Sequence, residues 1–250
     1  PLFNDDPLEE FSNDDKSSLL LQKYKGRALM IATGACAVHC RYCFRKNFPY
    51  SKKIGHSKIQ AALEELNHLP TIRELIISGG DPLILDDSSL DNILTRLSEI
   101  KHIQRVRIHT RIPVVFPARI THRLMQLFTQ RSYSTILVTH VNHPNEIDME
   151  VRSAISAFKD CGTTLLNQSV LLKGINDDVK TLTRLSETLF DTGILPYYIH
   201  MLDRVTGASH FEVDLDFAKR LQQELYGQLP AYLVPRFVKE IPGNPSKTLI

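Results

Sequence analysis

The stretch GACAVHCRYCF, residues 34–44, holds Cys36, Cys40 and Cys43, three of the four cysteines in the chain. Thiolates this close together hold metals, and four cysteines in 250 residues are too few for a disulfide scaffold. A structural zinc takes four protein ligands in a closed tetrahedron. The spacing C-x3-C-x2-C offers three, and His39 or His56 could complete a Cys3His site. A [4Fe–4S] cluster also normally takes four cysteines. Held by three, it keeps one iron open to a small molecule. Cys161, just before Gly162 at the end of a helical pattern, reads as a buried small apolar residue instead.

Other chemistry-bearing residues punctuate the chain at intervals: SGGDP (78–82), HTR (109–111), THVNHPNE (139–146), NQSVLL (167–172) and HMLD (200–203). Each closes a short apolar run. The runs are ALMIAT (28–33), ELIISGG (74–80), VRIHT (106–110), TILVTH (135–140), TLLNQSVLL (164–172) and LPYYIH (195–200). Between them apolar residues recur at helical spacing: Ile59, Ala62, Leu63, Leu66; then Leu90, Ile93, Leu94, Leu97; then Ile147, Val151, Ala154, Ile155, Phe158; then Val179, Leu182, Leu185, Leu189. Each stripe buries one helix face against a sheet. A further strand candidate, AYLVPRFVKE (231–240), follows the last helix.

Strand followed by helix about six times predicts an α/β fold with parallel strands and right-handed crossovers, closed or nearly closed into a barrel. A doubly wound open sheet is the alternative. In the barrel all the polar strand ends share one rim, where barrel enzymes build their sites. The expected division is an N-terminal arm (1–27), polar and acidic at first, a barrel (28–240), and a C-terminal segment (241–250) able to bend over the mouth.

Composition sets the bounds. The chain is 42% apolar and 23% charged with a net charge of +2, which is globular and weakly informative about partners. It contains no apolar run near the eighteen or so residues of a membrane helix and no signal peptide, so a soluble cytoplasmic protein is expected. It opens on Pro1 rather than Met and is expected to be part of a longer chain. The basic run Arg41, Arg45, Lys46, Lys52 and Lys53 is either a solvated face or a site for anions or nucleic acid.

The cysteine spacing after an apolar strand, with Tyr42 before the last cysteine and SGGDP at the next strand end, resembles the radical S-adenosylmethionine superfamily. The resemblance implies a partial (β/α)6 barrel and a [4Fe–4S] cluster on Cys36, Cys40 and Cys43, whose open iron chelates S-adenosylmethionine. It places Gly79, Gly80 and Asp81 against that cofactor, with His140, Gln168 and Arg111 touching it or ordering the site. The segments YKGRALMIATGAC, RIHTRIPVVFPARIT, THVNHPNEI, LLNQSVLLKGIND and PYYIHMLDRVTGASHF are similar to the lysine 2,3-aminomutase family, nearest its bacterial branch that makes β-lysine for modifying elongation factor P. That family adds pyridoxal phosphate. The resemblance implies Lys247 of PGNPSKT as the Schiff-base lysine, although Asn244, Pro245 and Ser246 stand where the family has glycines. Tyr24, Arg27 and Lys23 fall at the phosphate or ring, Lys23 replacing an arginine.

For substrate, the resemblance places Arg45 on the lysine carboxylate, a task suited to a planar bidentate fork. It places Asp203 and Glu240 on the distal ammonium, whose unpaired burial would be unfavourable by several kcal/mol. The implied reaction converts (S)-α-lysine to (R)-β-lysine by a radical 1,2-amino shift. The implied partners are L-lysine, a flavodoxin- or ferredoxin-type electron donor, and elongation factor P with its lysyl-transferring ligase. No nucleic acid or membrane partner is expected, and a homo-oligomer is left open. The alternatives are another radical S-adenosylmethionine enzyme without pyridoxal phosphate, and a zinc-stabilised RNA-binding protein using the run 41–53.

Overall fold

The computed structural model describes residues 2–10, 19–50 and 55–250. The side chains of Lys23 and His56 lie outside that description, as do Lys52 and Lys53.

One nine-stranded sheet carries the strands in chain order. Strand β1 (Leu20–Tyr24) turns through Gly26, at φ 74°, into the antiparallel β2 (Arg27–Thr33). Strands β2, β3 (Glu74–Gly79), β4 (Arg105–Thr110), β5 (Ser134–Thr139), β6 (Thr164–Val170), β7 (Leu195–His200) and β8 (Arg236–Lys239) run parallel, each paired with the next. A short β9 (Thr248–Leu249) returns antiparallel along β8. A doubly wound sheet reverses its strand order at a switch point. This order never reverses, and the two edges do not pair, so the sheet is an incomplete barrel. The segment AYLVPRFVKE supplies the seventh parallel strand after a 3-10 turn at Ala231–Leu233.

Among the described residues five long helices cover the outer face: α1 (His56–Asn67), α2 (Asp87–Glu99), α3 (Met149–Asp160), α4 (Val179–Asp191) and α5 (Leu215–Gln228). Between β4 and β5 the crossover is two short helical pieces, Ile112–Val115 and His122–Gln126. Helices α2 to α5 start where an aspartate, Asp86, Asp148, Asp178 or Asp214, accepts a backbone N–H of the first turn, satisfying a donor that has no partner within the helix. The apolar stripes do what their spacing predicts. Leu90, Ile93, Leu94 and Leu97 are buried, as are Val151, Ile155, Phe158, Leu182, Leu185 and Leu189, in one core with Val106, Ile108 and Leu137 of the strands. Among the described residues, no helix is long and apolar enough to cross a membrane.

The inner face of the sheet is different. Parallel strands buried on both sides are usually apolar throughout. Here β4 alternates Val106 and Ile108, facing the helices, with Arg105, Arg107 and His109. Both arginines donate to Glu74 at the start of β3. Such a lining needs a polar occupant or polar partners. A register shift between β6 and β7 makes Tyr197 an extra residue, so Tyr197 and Tyr198 lie with ring centroids 3.8 Å apart.

Candidate active site

The cysteines lie on the loop after β2, and the end of β3 holds that loop down. Gly80 N donates to Thr33 O at 2.6 Å, and Asp81 N to Ala35 O at 2.8 Å. The approach excludes side chains. A Cβ on Gly79 would meet Thr33 O at 2.4 Å, and one on Gly80 would meet Ala35 O at 2.2 Å. Gly79 also sits at φ 119°, a conformation open to glycine. Asp81 is buried and fully engaged. It accepts from Thr110 Oγ1 at 2.6 Å, Arg111 N at 2.7 Å and Leu83 N at 3.2 Å, tying β3 to β4. Burial still raises its pKa despite these bonds.

Cys36, Cys40 and Cys43 are free and half-buried. Burial lifts Cys36 to about 11, with Asp81, Cys43 and Cys40 adding to the rise. Burial also lifts Cys43, with Cys40 and Asp203 pushing the same way and the Arg45 backbone bond opposing. The three thiols are therefore mutual electrostatic neighbours. Arg111 reaches them: Nη1 donates to Cys40 Sγ at 3.0 Å and to Tyr42 Oη at 3.1 Å, while Nη2 donates to Glu146 at 2.5 Å. Tyr42 Oη also accepts from Asn142 Nδ2 at 2.5 Å, which anchors the cysteine loop to the loop after β5. Cys161 lies apart, half-buried against the main core, its thiol 3.6 Å from Met125 O.

At the mouth the end of β1 meets the segment that follows β8. Glu240, just past β8 and 7% exposed, accepts from Lys247 Nζ at 2.6 Å and from Tyr24 Oη at 2.5 Å. Burial and Glu240 raise the Tyr24 pKa, so the phenol stays protonated. Arg27 lies over the Tyr24 ring at 4.8 Å, and Lys247 Nζ lies 5.9 Å from the centre of the Tyr198 ring. His140 and Gln168 are 3.2 Å apart, Nε2 to Nε2. Burial and Arg111 push His140 down to about 3. His109 stacks edge-on to His140 at 5.5 Å. Burial holds His109 well below its usual value, and burial with Lys247 pushes His200 down to about 3.

Arg45 is buried, and its Nε and Nη2 donate to Glu10 at 2.6 and 2.8 Å. Asp203 sits half-buried on the loop after β7, near enough to Cys43 to raise its thiol. Of the basic run, Arg41 bonds His210, Arg45 bonds Glu10, and Lys46 bonds Thr206 O, so these three are engaged within the chain.

Tyr24, Glu240 and Lys247 are thus brought into direct contact, as are His140 and Gln168, while Gly79, Gly80 and Asp81 shape the floor beneath the cysteines. Sequence reading passed over Glu10, His109, His200, Tyr197 and Tyr198. Both histidines stand in segments already marked as strand ends, HTR and HMLD, and the inward phase of β4 would have singled out His109. Glu10 had no signal, lying in an acidic arm.

The donor set fits an iron–sulfur cluster held through three thiolates, which must shed their protons on binding. Among the described residues no three His, Cys, Asp or Glu side chains gather around a single-ion centre; ligands that each hold a different iron need not. The lumen also fits a polar cofactor. His109 Nε2, His200 Nε2 and Arg111 Nε are buried without a hydrogen-bond partner, an arrangement that is costly unless something else pairs with them. Lys247, Tyr24 and Arg27 stand beside that space with an amine, a phenol and a cation.

Residues 30–185 match the model of the radical SAM superfamily. Over 249 residues the chain is 49% identical to the L-lysine 2,3-aminomutase of Escherichia coli (strain K12), covering 99% of this chain and 72% of that protein. It is 36% identical to the L-lysine 2,3-aminomutase of Clostridium subterminale, covering 98% of this chain and 59% of that protein. Among solved structures, Streptococcus suis SuiB superposes with a TM-score of 0.64 at 15% identity, over 88% of this chain and 50% of that one. A radical SAM methyltransferase from Sphaerobacter thermophilus gives 0.58 at 15% identity, over 88% and 68%. These superpositions speak for the fold alone. Sequence identity across nearly the whole chain goes further, and with the three-cysteine loop it establishes that the chain belongs to the lysine 2,3-aminomutase family of the radical SAM superfamily.

Proposed function

We propose that this protein is a pyridoxal phosphate-dependent lysine 2,3-aminomutase, converting (S)-α-lysine to (R)-β-lysine. The observation that carries the reading is the contact of Lys247 and Tyr24 with Glu240 on the same mouth as Arg45 and the cysteine loop. A guanidinium, carboxylates and an amine suit the carboxylate, the ammonium and the cofactor of such a reaction.

Cys36, Cys40 and Cys43 would hold the [4Fe–4S] cluster, with S-adenosylmethionine toward Gly79, Gly80, Asp81, His140 and Gln168. Lys247 would hold pyridoxal phosphate, with Tyr24, Arg27 and Lys23 supplying its further contacts. When bound, these groups supply a carbon-centred radical and a carrier for the migrating nitrogen.

The chain's own residues bind and align. Arg45 offers the α-carboxylate a charge-assisted fork. Glu240 already accepts an ammonium from Lys247. For Glu240 to accept the substrate's side-chain ammonium, with Asp203 as the second acid, the Lys247 amine must move off the carboxylate it now contacts. Fixing both ends holds the β-carbon in one place, which is what a hydrogen transfer between bound partners requires. His109, His140 and His200 are neutral at ordinary pH, so they add no cation that would compete for the acids.

Beyond the reaction, we propose a cytoplasmic setting, a flavodoxin- or ferredoxin-type electron donor, and delivery of β-lysine to elongation factor P through its ligase. The resemblance to the β-lysylation branch supports these. The test is anaerobic reconstitution with iron, sulfide and pyridoxal phosphate, followed by assay of lysine with S-adenosylmethionine and a reductant. β-Lysine is expected. A protein fully loaded with cluster and pyridoxal that forms none would overturn the proposal.

A further inference from the structure

A guanidinium can bind two carboxylates at once, one side-on through Nε and Nη2 and one end-on through Nη1 and Nη2. Arg45 has its side edge filled: Nε donates to Glu10 Oε2 at 2.6 Å and Nη2 to Glu10 Oε1 at 2.8 Å. Among the described residues its end edge has only a long contact, Nη1 to Ser78 Oγ at 3.4 Å. Burial opposes the Arg45 charge, and Glu10 outweighs that opposition. The Phe44 ring backs the guanidinium at 4.6 Å.

The segment bearing Glu10 is built to present it. Asn4 N donates to Arg204 O at 3.0 Å, and Thr206 N donates to Asn4 O at 2.9 Å. Asn47 Nδ2 donates to Asp5 at 2.9 Å. Phe3 packs with Leu172, Leu202, Val205 and Ala208. Residues 3–5 thus bridge the loop bearing Asp203 and the loop bearing Arg45. Asp6 then accepts the backbone N–H of Glu10 at 2.8 Å, closing a turn that forces Glu9 to φ 57°. A non-glycine residue there is unfavourable and persists where its surroundings impose it.

We propose that Glu10 is a positioning residue for substrate. By occupying the side edge of Arg45 it fixes the plane of the guanidinium and turns the end edge toward the α-carboxylate of lysine. The proposal rests on the reading of Arg45 given above. It makes the N-terminal segment part of the substrate site, and it makes Glu10 a determinant of preference for amino acids over plain diamines.

The test compares L-lysine with 1,5-diaminopentane, which is lysine without its carboxylate, on protein reconstituted with cluster and pyridoxal phosphate. In Glu10→Gln, the dissociation constant and KM for lysine are expected to rise roughly ten- to a hundredfold, the value of one charge-assisted contact. Diamine affinity stays within about twofold, which shows that the fold is intact. Glu10→Asp recovers most of the lysine affinity. If Glu10→Gln binds lysine as tightly as the parent or more tightly, Glu10 is a bystander or a competitor and the proposal is overturned. Equal weakening of lysine and diamine overturns it as well. A parent protein that does not prefer lysine to the diamine sinks the Arg45 reading itself, and this proposal with it.

Discussion

Lys247 Nζ stands 2.6 Å from Glu240 Oε2, and the Tyr24 hydroxyl closes on the other oxygen of the same carboxylate at 2.5 Å. The carboxylate is 7% exposed and the lysine 28%. One acid therefore serves an ammonium of the protein where the proposed reaction needs it to serve an ammonium of the substrate.

Lys247→Ala is expected to abolish both the visible absorbance of bound pyridoxal and β-lysine formation. It also leaves Glu240 with one partner fewer in a buried setting. Urea unfolding should show a loss of about 1.5–3 kcal/mol, the range for a hydrogen bond to a charged group. Retention of the absorbance would remove Lys247 from its assigned role.

Gly80→Ala places a methyl group where Ala35 O lies 2.2 Å away. Backbone must move, and the part that moves carries Cys36. Iron bound after anaerobic reconstitution should fall well below that of the parent, with a stability loss of roughly 1–3 kcal/mol. Full iron loading would show that the glycines are not what seats the cysteine loop.

Arg111→Met removes the donor to Cys40 Sγ. Hydrogen bonds and positive charge at a cluster sulfur favour the reduced, more negative state. With the cluster in place, the potential should drop by about 60 mV, a tenfold change for one electron. Redox titration checks this, and an unchanged potential would assign Arg111 to holding Tyr42 and Glu146 alone.

His140 and His200 are both held near 3 by burial, the first helped by Arg111 and the second by Lys247. Once unfolded they ionise at the ordinary value of about 6.5. Their contribution to stability is complete above pH 6.5 and is lost as pH falls from there toward 3. The limiting slope is about 1.4 kcal/mol per pH unit for each histidine. Urea unfolding at pH 7.5 and 5.5 should show the decline, and His140→Gln should make it shallower. A flat profile would mean that the mouth admits enough water to let them ionise.

The features legible in the sequence are those whose cause is local. Leu90, Ile93, Leu94 and Leu97 declare their helix because the period is written within eight positions. The cysteines declare a metal for the same reason. Tyr24 and Glu240 are 216 residues apart, and no local pattern joins them; the resemblance placed both near pyridoxal or substrate without showing that they touch. The resemblance placed Asp81 against S-adenosylmethionine; that its carboxylate also ties β3 to β4, through Thr110, Arg111 and Leu83, depends on a neighbouring strand that no local pattern reveals. The paired tyrosines depend on a register shift, a property of two strands together. Strand β1 arises from residues that looked like an extended arm, because Leu20 and Leu21 find partners only once β2 is in place.

The junction of Tyr24, Glu240 and Lys247 also bears on how the protein is made. A ribosome releases the chain in sequence order, and this junction joins Tyr24 to a carboxylate 216 residues later. The barrel strands can begin to pair during synthesis, but the amine-bearing pocket closes only after Lys247 has emerged and β9 has docked on β8. Contacts of such long separation form late and slowly. A chain released only as far as β8 therefore lacks the Lys247–Glu240 contact, and the pocket is finished by the segment around β9.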